Sequence, residues 1–282
     1  MVPERRETAP LSDSLAFRAW RSRPQVMPAP HAHTDVELNL PLDGTLRYFF
    51  AGRFQEVRSG QLAALWAGMP HRLVAVEPPG TEYLCLTLPL GWFLSWSVPG
   101  PLTARLLDGE MVVDGGDPND APLFTQWATE LSALAPPADA HRITLLEVEA
   151  RLRRLSLRLG DAGEESAPRP APAGPAVERI AAHLSRHYRD PELSAASVAG
   201  ALGLHPNYAQ TAFKEGCGMT LWDYVTRLRV SHAQRLLLTT DWTVDRVALE
   251  SGFGSPSRFF AVFRAHTNGK TPRQYRLSHS GD

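Results

Sequence analysis

The C-terminal part of the chain repeats itself, and this constrains the fold more than any other feature. In "VAGALGLHPNYAQTAFKEGCGMTLWDYV", Ala199, Gly203 and Leu204 recur as Ala248, Gly252 and Phe253 in "VALESGFGSPSRFFAVFRAHTNGKTPRQYR". Phe213–Lys214 recurs as Phe263–Arg264, and Gly218, Thr220 and Tyr224 recur as Gly269, Thr271 and Tyr275, at an offset that drifts only from 49 to 51. In each copy a short helix carries a small Ala, a turn contains Gly, and a second helix begins at a polar or Pro-containing N-terminus. That order predicts a helix-turn-helix unit, with Ala where two helices cross closely and Gly relaxing the turn. The stretch "TLWDYVTRLRVSHAQRLLLTT" reads as a helix joining the two units. A helical hairpin repeat without ligand is the plainer alternative, and two linked copies weigh against it.

The rest of the chain has a different character. "GDAGEESAPRPAPAGPAVE" (Gly160–Glu178) holds little that would anchor a core and reads as a linker extended around its prolines. It divides the chain into residues 1–160, a linker over 161–176, and residues 177–282. From Pro175 onward there are 13 Lys and Arg against 9 Asp and Glu, whereas the remainder carries 16 against 21. A mildly basic module tied to an acidic one fits a nucleic-acid binder joined to something else. The two cysteines, Cys85 and Cys217, fall in different parts, so a disulfide framework or cysteine zinc site is not expected. No apolar run reaches the ~18 residues of a membrane span. "MVPERRETAP" lacks a signal-peptide apolar region. A cytoplasmic protein without a membrane partner is expected.

Residues 1–160 begin as short β-favouring runs separated by turn signals. "VELNLPL", "TLRYFFA", "QLAALWA", "HRLVAVE" and "EYLCLTLPL" alternate with "LDGT", "AGR", "RSGQ", "AGMP" and "EPPGT". This spacing predicts an antiparallel sandwich or barrel. From about Asn119 to Leu159 the apolar period becomes helical, as in "HRITLLEVEARLRRLSLRL". "GWFLSW" is expected to be helical too, with Trp92 and Trp96 one turn apart as core or dimer contacts. The fold class is α+β: an N-terminal barrel with following helices, then an all-α domain.

Over about Val177–Leu277 the chain resembles the AraC family of transcription regulators. The ending "ALESGFGSPSRFFAVFRAHTNGKTPRQYR" carries the family's A-x3-GF, F-x3-F-[KR] and G-x-[ST]-P-x-x-[YF]-R pattern. The resemblance implies a rigid pair of helix-turn-helix units placing two recognition helices in successive major-groove segments of double-stranded DNA. Ala209 departs from the larger apolar residue usual there and is expected to loosen the first unit. Family base-reading positions map onto Asn207, Gln210 and Thr211 in the first unit and Ser257, Arg258 and Ala261 in the second. Asn and Gln suit adenine, Arg suits guanine, and Thr or Ala can meet a thymine methyl. Lys214, Arg264 and Arg273 suit phosphates, and Val198, Leu202, Phe213, Val247, Phe259 and Phe263 face inward as core.

The family's N-terminal domain is usually a ligand-binding barrel of the cupin kind. His31-x-His33-x3-Glu37-x6-Gly44 reproduces the spacing of the first cupin motif, and Gly60-x5-Trp66-x-Gly68-x2-His71 follows the second, with Trp66 for its usual Pro and Ala75 for its usual Asn. His31, His33, Glu37 and His71 thus form a possible divalent-metal ligand set of a kind that suits Zn, Ni, Mn or Fe. The same groups suit a small-molecule pocket, since His and Glu bond sugar hydroxyls and Tyr48, Trp66, Tyr83, Trp92 and Trp96 offer faces to a ring. Longer runs, among them "LWAGMPH" and "FLSWS", resemble sugar-responsive members of the family. That closer likeness implies a sugar effector, an α-galactoside first.

The expected function is a DNA-binding transcription regulator, an activator that a small molecule controls and that contacts RNA polymerase as a homodimer. The helices of Ile143–Leu159 are the expected coupling or dimer surface. A metal-dependent cupin enzyme fused to a helical domain is the alternative. Against it, an enzyme has no use for paired helix-turn-helix units, so no catalytic residues are assigned. A constitutive DNA binder whose barrel only dimerises is a third reading.

Overall fold

The computed structural model describes residues 17–132, 139–161 and 176–279. Eight strands come first: β1 (Arg18–Ser22), β2 (Asp35–Pro41), β3 (Thr45–Phe50), β4 (Arg53–Arg58), β5 (Leu62–Trp66), β6 (His71–Glu77), β7 (Tyr83–Pro89) and β8 (Val112–Asp114). They form an antiparallel five-stranded sheet in the order β1-β7-β2-β5-β8 and a three-stranded sheet in the order β4-β3-β6. The five apolar runs read from sequence are β2, β3, β5, β6 and β7. The unforeseen strands carry weak signals: β8 has three residues, β1 has one buried residue, and "RFQEVR" of β4 is mostly polar.

Alternation along β2 explains why all seven of its residues are buried. Val36, Leu38 and Leu40 point to the outer face of the large sheet. There they pack under α1 (Leu90–Ser95), α2 (Leu102–Leu107), α3 (Asp120–Ser132) and α4 (Ala140–Asp161). Glu37 and Asn39 point the other way, toward the side chains enclosed between the sheets, which include Leu46, Tyr48, Phe50, Leu65 and Leu73. On α4, Val148, Leu152 and Leu155 face the barrel, whereas Ile143, Leu146 and Leu157 are exposed. Arg151 is buried and bonds Asp114 and Asp120, each at 2.7 Å, fixing the helix to the sheet edge. The helix at "GWFLSW" ends at Ser95, so Trp96 is its C-cap rather than a helical partner of Trp92, and Trp92 is 45% exposed.

The second part is entirely helical: α5 (Ala176–His187), α6 (Ala195–Leu202), α7 (Pro206–Cys217), α8 (Leu221–Thr239), α9 (Val244–Glu250), α10 (Pro256–His266) and α11 (Pro272–His279). The pairs α6–α7 and α9–α10 are the two helix-turn-helix units, joined by α8. In the second turn Gly252 has a φ of 82°, and an added Cβ would fall 2.8 Å from the Arg189 Cα, so both backbone angle and space require glycine. Phe213 and Ala209 anchor one core, and Phe259 and Phe263 the other. Ala209 is fully buried, and Leu202 is only partly so. Of the linker expected over 161–176, residues 162–175 lie outside the described residues.

Barrel and first helix-turn-helix unit share a seam. Phe49 of β3 is buried in the same cluster as Ile180, Ala181 and Leu184 of α5, with Phe54 alongside. Gly52, at the β3–β4 turn, lies so near α5 that a Cβ would fall 2.7 Å from the Ala182 nitrogen. Arg72 donates to the Met27 carbonyl at 2.8 Å and the Gly216 carbonyl at 3.4 Å, and Ser231 donates to the Gly68 carbonyl.

Candidate effector site and nucleic-acid interface

Both recognition helices start in the same way. His205 caps α7 and Ser255 caps α10, each followed by Pro at the first helical position, where its missing N–H is no loss. The caps fix which side chains turn outward. On α7, Asn207, Gln210, Thr211 and Lys214 are exposed at i, i+3, i+4 and i+7. With Phe213 matched to Phe263, the corresponding stripe of α10 is Ser257, Phe260, Ala261 and Arg264, all exposed. Phe260, 37% exposed, therefore stands where Gln210 stands, and Arg258 corresponds to Tyr208 beside the stripe. Sequence reasoning missed Phe260 and Tyr208. A second large aromatic directly next to a buried position was the available signal. Arg273 is exposed in the first turn of α11.

In the barrel, His33 and His71 are buried, as is Glu37, while His31 is half-buried. His31 and His71 form an isolated β-bridge, which brings their rings to 4.1 Å. His33 Nδ1 lies 3.0 Å from Asp35 Oδ2, and its Nε2 lies 3.0 Å from Glu37 Oε2. Two carboxylate acceptors require two donors, so the ring is an imidazolium. Burial works against that charge, but the bonds to Asp35 and Glu37 overcome it and hold the His33 pKa at about 9. Burial likewise opposes ionisation of Glu37, yet His33, His71 and an Asn39 amide donating at 2.7 Å keep it well below its ordinary value. His71 donates its Nδ1–H to the Met69 carbonyl at 3.0 Å, leaving a bare Nε2 that is buried without a hydrogen-bond partner among the described residues. Burial, then the neighbouring His71 and His33, lower the His31 pKa; Arg227 of α8 adds to this, so His31 feels a charge from the helical module.

One ligand nitrogen from each of His31, His33 and His71 lies within 4.8 Å of the others. With the His71 tautomer set by a backbone carbonyl and its Nε2 free, these residues fit a divalent metal, provided that His33 gives up a proton. They also fit a polyhydroxylated ligand, for which the paired carboxylates and the Asn39 amide offer acceptors and donors. Asp35 and Asn39 were not read from sequence, although their inward parity follows from the alternation of "DVELNL". Thr87, opposite Glu37 on β7, shares that face. Tyr48 is inside the barrel, and Tyr83 is partly buried against the same cluster. Trp66 is not with them: it pairs with Val36 in register and so points to the opposite face of β5, under the helices. Trp96 also packs on that outer side, so neither it nor exposed Trp92 lines the barrel interior.

Residues 14–156 match the AraC-like ligand binding domain family, and residues 198–278 match a helix-turn-helix domain family. The melibiose operon regulatory protein of Escherichia coli K12 is 28% identical over 274 residues, covering 93% of this chain and 86% of that protein. Among solved structures, ToxT from Vibrio cholerae aligns over 94% of this chain and 98% of its own, with 14% identity and a TM-score of 0.39. The C-terminal domain of AraT, a response regulator from Geobacillus stearothermophilus, aligns over 37% of this chain and 86% of its own, with 28% identity and a TM-score of 0.36.

Proposed function

Because the chain belongs to the AraC family of transcription regulators, with a ligand-binding and a helix-turn-helix domain, we propose that it activates transcription when an α-galactoside binds its barrel. It is a regulator and not an enzyme. Residues 1–160 serve as the ligand-binding and dimerisation domain, 161–176 as linker and 177–282 as the DNA-binding domain, working in the cytoplasm on double-stranded DNA. The observation that carries the sugar is the 28% identity to the melibiose operon regulatory protein, which spans both halves rather than the DNA module alone. The chemistry inside the barrel supports it. His33, Glu37, Asn39 and His71 make a fixed donor and acceptor array, and Tyr48 is enclosed with it.

Asn207, Gln210 and Thr211 read bases in one major-groove segment, and Ser257, Phe260 and Ala261 in the next, Phe260 against a thymine methyl. Lys214, Arg264 and Arg273 neutralise phosphates, and Arg258 reads a guanine or holds a phosphate. The effector shifts occupancy between two arrangements of barrel and helices by binding one more tightly, and the DNA-bound dimer then engages RNA polymerase.

Melibiose titrated into the full-length protein should change tryptophan fluorescence saturably and raise transcription from its own promoter in a purified system. Glu37→Gln and His71→Ala should abolish both effects. Binding of specific DNA without any response to melibiose or other α-galactosides would end the sugar reading, and absence of specific DNA binding at low salt would end the activator reading.

A further inference from the structure

A cleft of about 940 Å³ opens between the barrel and the helical module; none of His31, His33, Glu37 and His71 lines it, nor do the outward residues of α7 and α10. That volume is in the range of sites for small organic ligands. Its apolar surface includes Phe50, Met69 and Leu228, from both modules. Around it stand five arginines: Arg53 on β4, Arg179 and Arg186 on α5, Arg189 just after α5, and Arg235 on α8. Three carboxylates share the lining, but Glu110 is taken by Arg105 and Asp108 by Arg235. Glu178 is left against four guanidiniums that have no carboxylate partner among the described residues. The positive potential is felt inside: after burial, Arg235 and Arg189 push His232 down to about 3.

Trp66 supplies a second, independent sign. It lines the cleft, is 1% exposed, and its Nε1–H is buried with no acceptor among the described residues. A buried donor left unpaired costs free energy that a ligand oxygen would recover.

We propose that this cleft binds a small organic anion, its carboxylate or phosphate held by guanidiniums of both modules and another of its oxygens by the Trp66 N–H. Guanidinium forks suit both oxyanions. Because Arg53 belongs to the barrel and the other arginines to the helical module, such a ligand binds across the seam and stabilises the docked arrangement. It is a second effector site, and it does not rest on the barrel's binding a sugar.

The test uses full-length protein with glucose 6-phosphate, glucuronate and neutral glucose at fixed ionic strength, followed by tryptophan fluorescence and thermal melting. At least one anion should give a saturable change that glucose does not give. Arg53→Ala and Arg189→Ala should each weaken it about tenfold or more, and Trp66→Phe, which keeps the ring but removes the N–H, should weaken it as well. A response to glucose 6-phosphate alone assigns a phosphate monoester, and one to glucuronate alone a carboxylate. No change beyond that of potassium chloride, equal responses to glucose, or unaltered affinity in both arginine variants overturns the proposal. Melibiose run in parallel separates the two sites: its response should survive Arg53→Ala.

Discussion

His33 holds a proton between two carboxylates in a place where water hardly reaches. Its folded pKa of about 9 lies above the ordinary 6.5, so its contribution to stability is complete below pH 6.5 and is lost as pH rises through 9. Glu37 runs the other way: its contribution is present above its ordinary 4.5 and fails in acid. Urea midpoints of the metal-free protein should therefore decline from pH 6.5 toward pH 9, and His33→Gln should flatten that alkaline limb; on the acid side His232, held down to about 3, withdraws stability as pH falls below 6.5. A divalent ion must displace the His33 proton, so zinc uptake should approach one ion per chain at pH 8 and fall away at pH 6. Elemental analysis after gel filtration measures this, and His71→Ala should take up none. His31, His33, Glu37 and His71 were legible because strand alternation and motif spacing are local. The placement of Trp66 was not, since its face is set by pairing with Val36 on another strand.

The recognition helices could be read from sequence because their caps, prolines and turn glycines act within a few residues. Which outward residue meets which base depends on register between the copies, and there the structure moves Phe260 into the stripe and Arg258 to its flank. Replacing thymine by uracil removes the methyl group that Phe260 would cover. One such position in the site should weaken wild-type binding but leave Phe260→Ala indifferent. Arg258→Ala should cost about 1–3 kcal/mol if it reads a base; equal losses on specific and random DNA would assign it to phosphate. On α4 the apolar period alone did not separate the inward from the outward face. Leu152 and Leu155, within the stretch expected to form the coupling surface, belong to the barrel core, and a charge there should unfold it. The face free to pair with a second copy is Ile143, Leu146 and Leu157. Leu146→Glu with Leu157→Glu should give a folded monomer by sedimentation and weaken binding to paired sites, because the second DNA module is no longer held at high effective concentration.

At the scale of the whole chain, the change in composition near Gly160 falls between the part that holds all eight described strands and the part in which every described element is a helix. A signal between the two parts can cross the direct contact of Phe49 and Gly52 with α5. The sequence could not show that contact, because Phe49 and Gly52 look like ordinary strand and turn residues until α5 is laid over them. Their placement has an evolutionary consequence. At Gly52 two backbones meet with no side chain between them, and Phe49 completes a core that otherwise belongs to the helical module. The two parts are thus not freely interchangeable units. A chimera that joins this barrel to a relative's helices should remain regulated only if the α5 positions facing Gly52 stay as small as Ala181 and Ala182. A bulkier residue there should leave both halves folded and DNA still bound, but with the effector no longer heard.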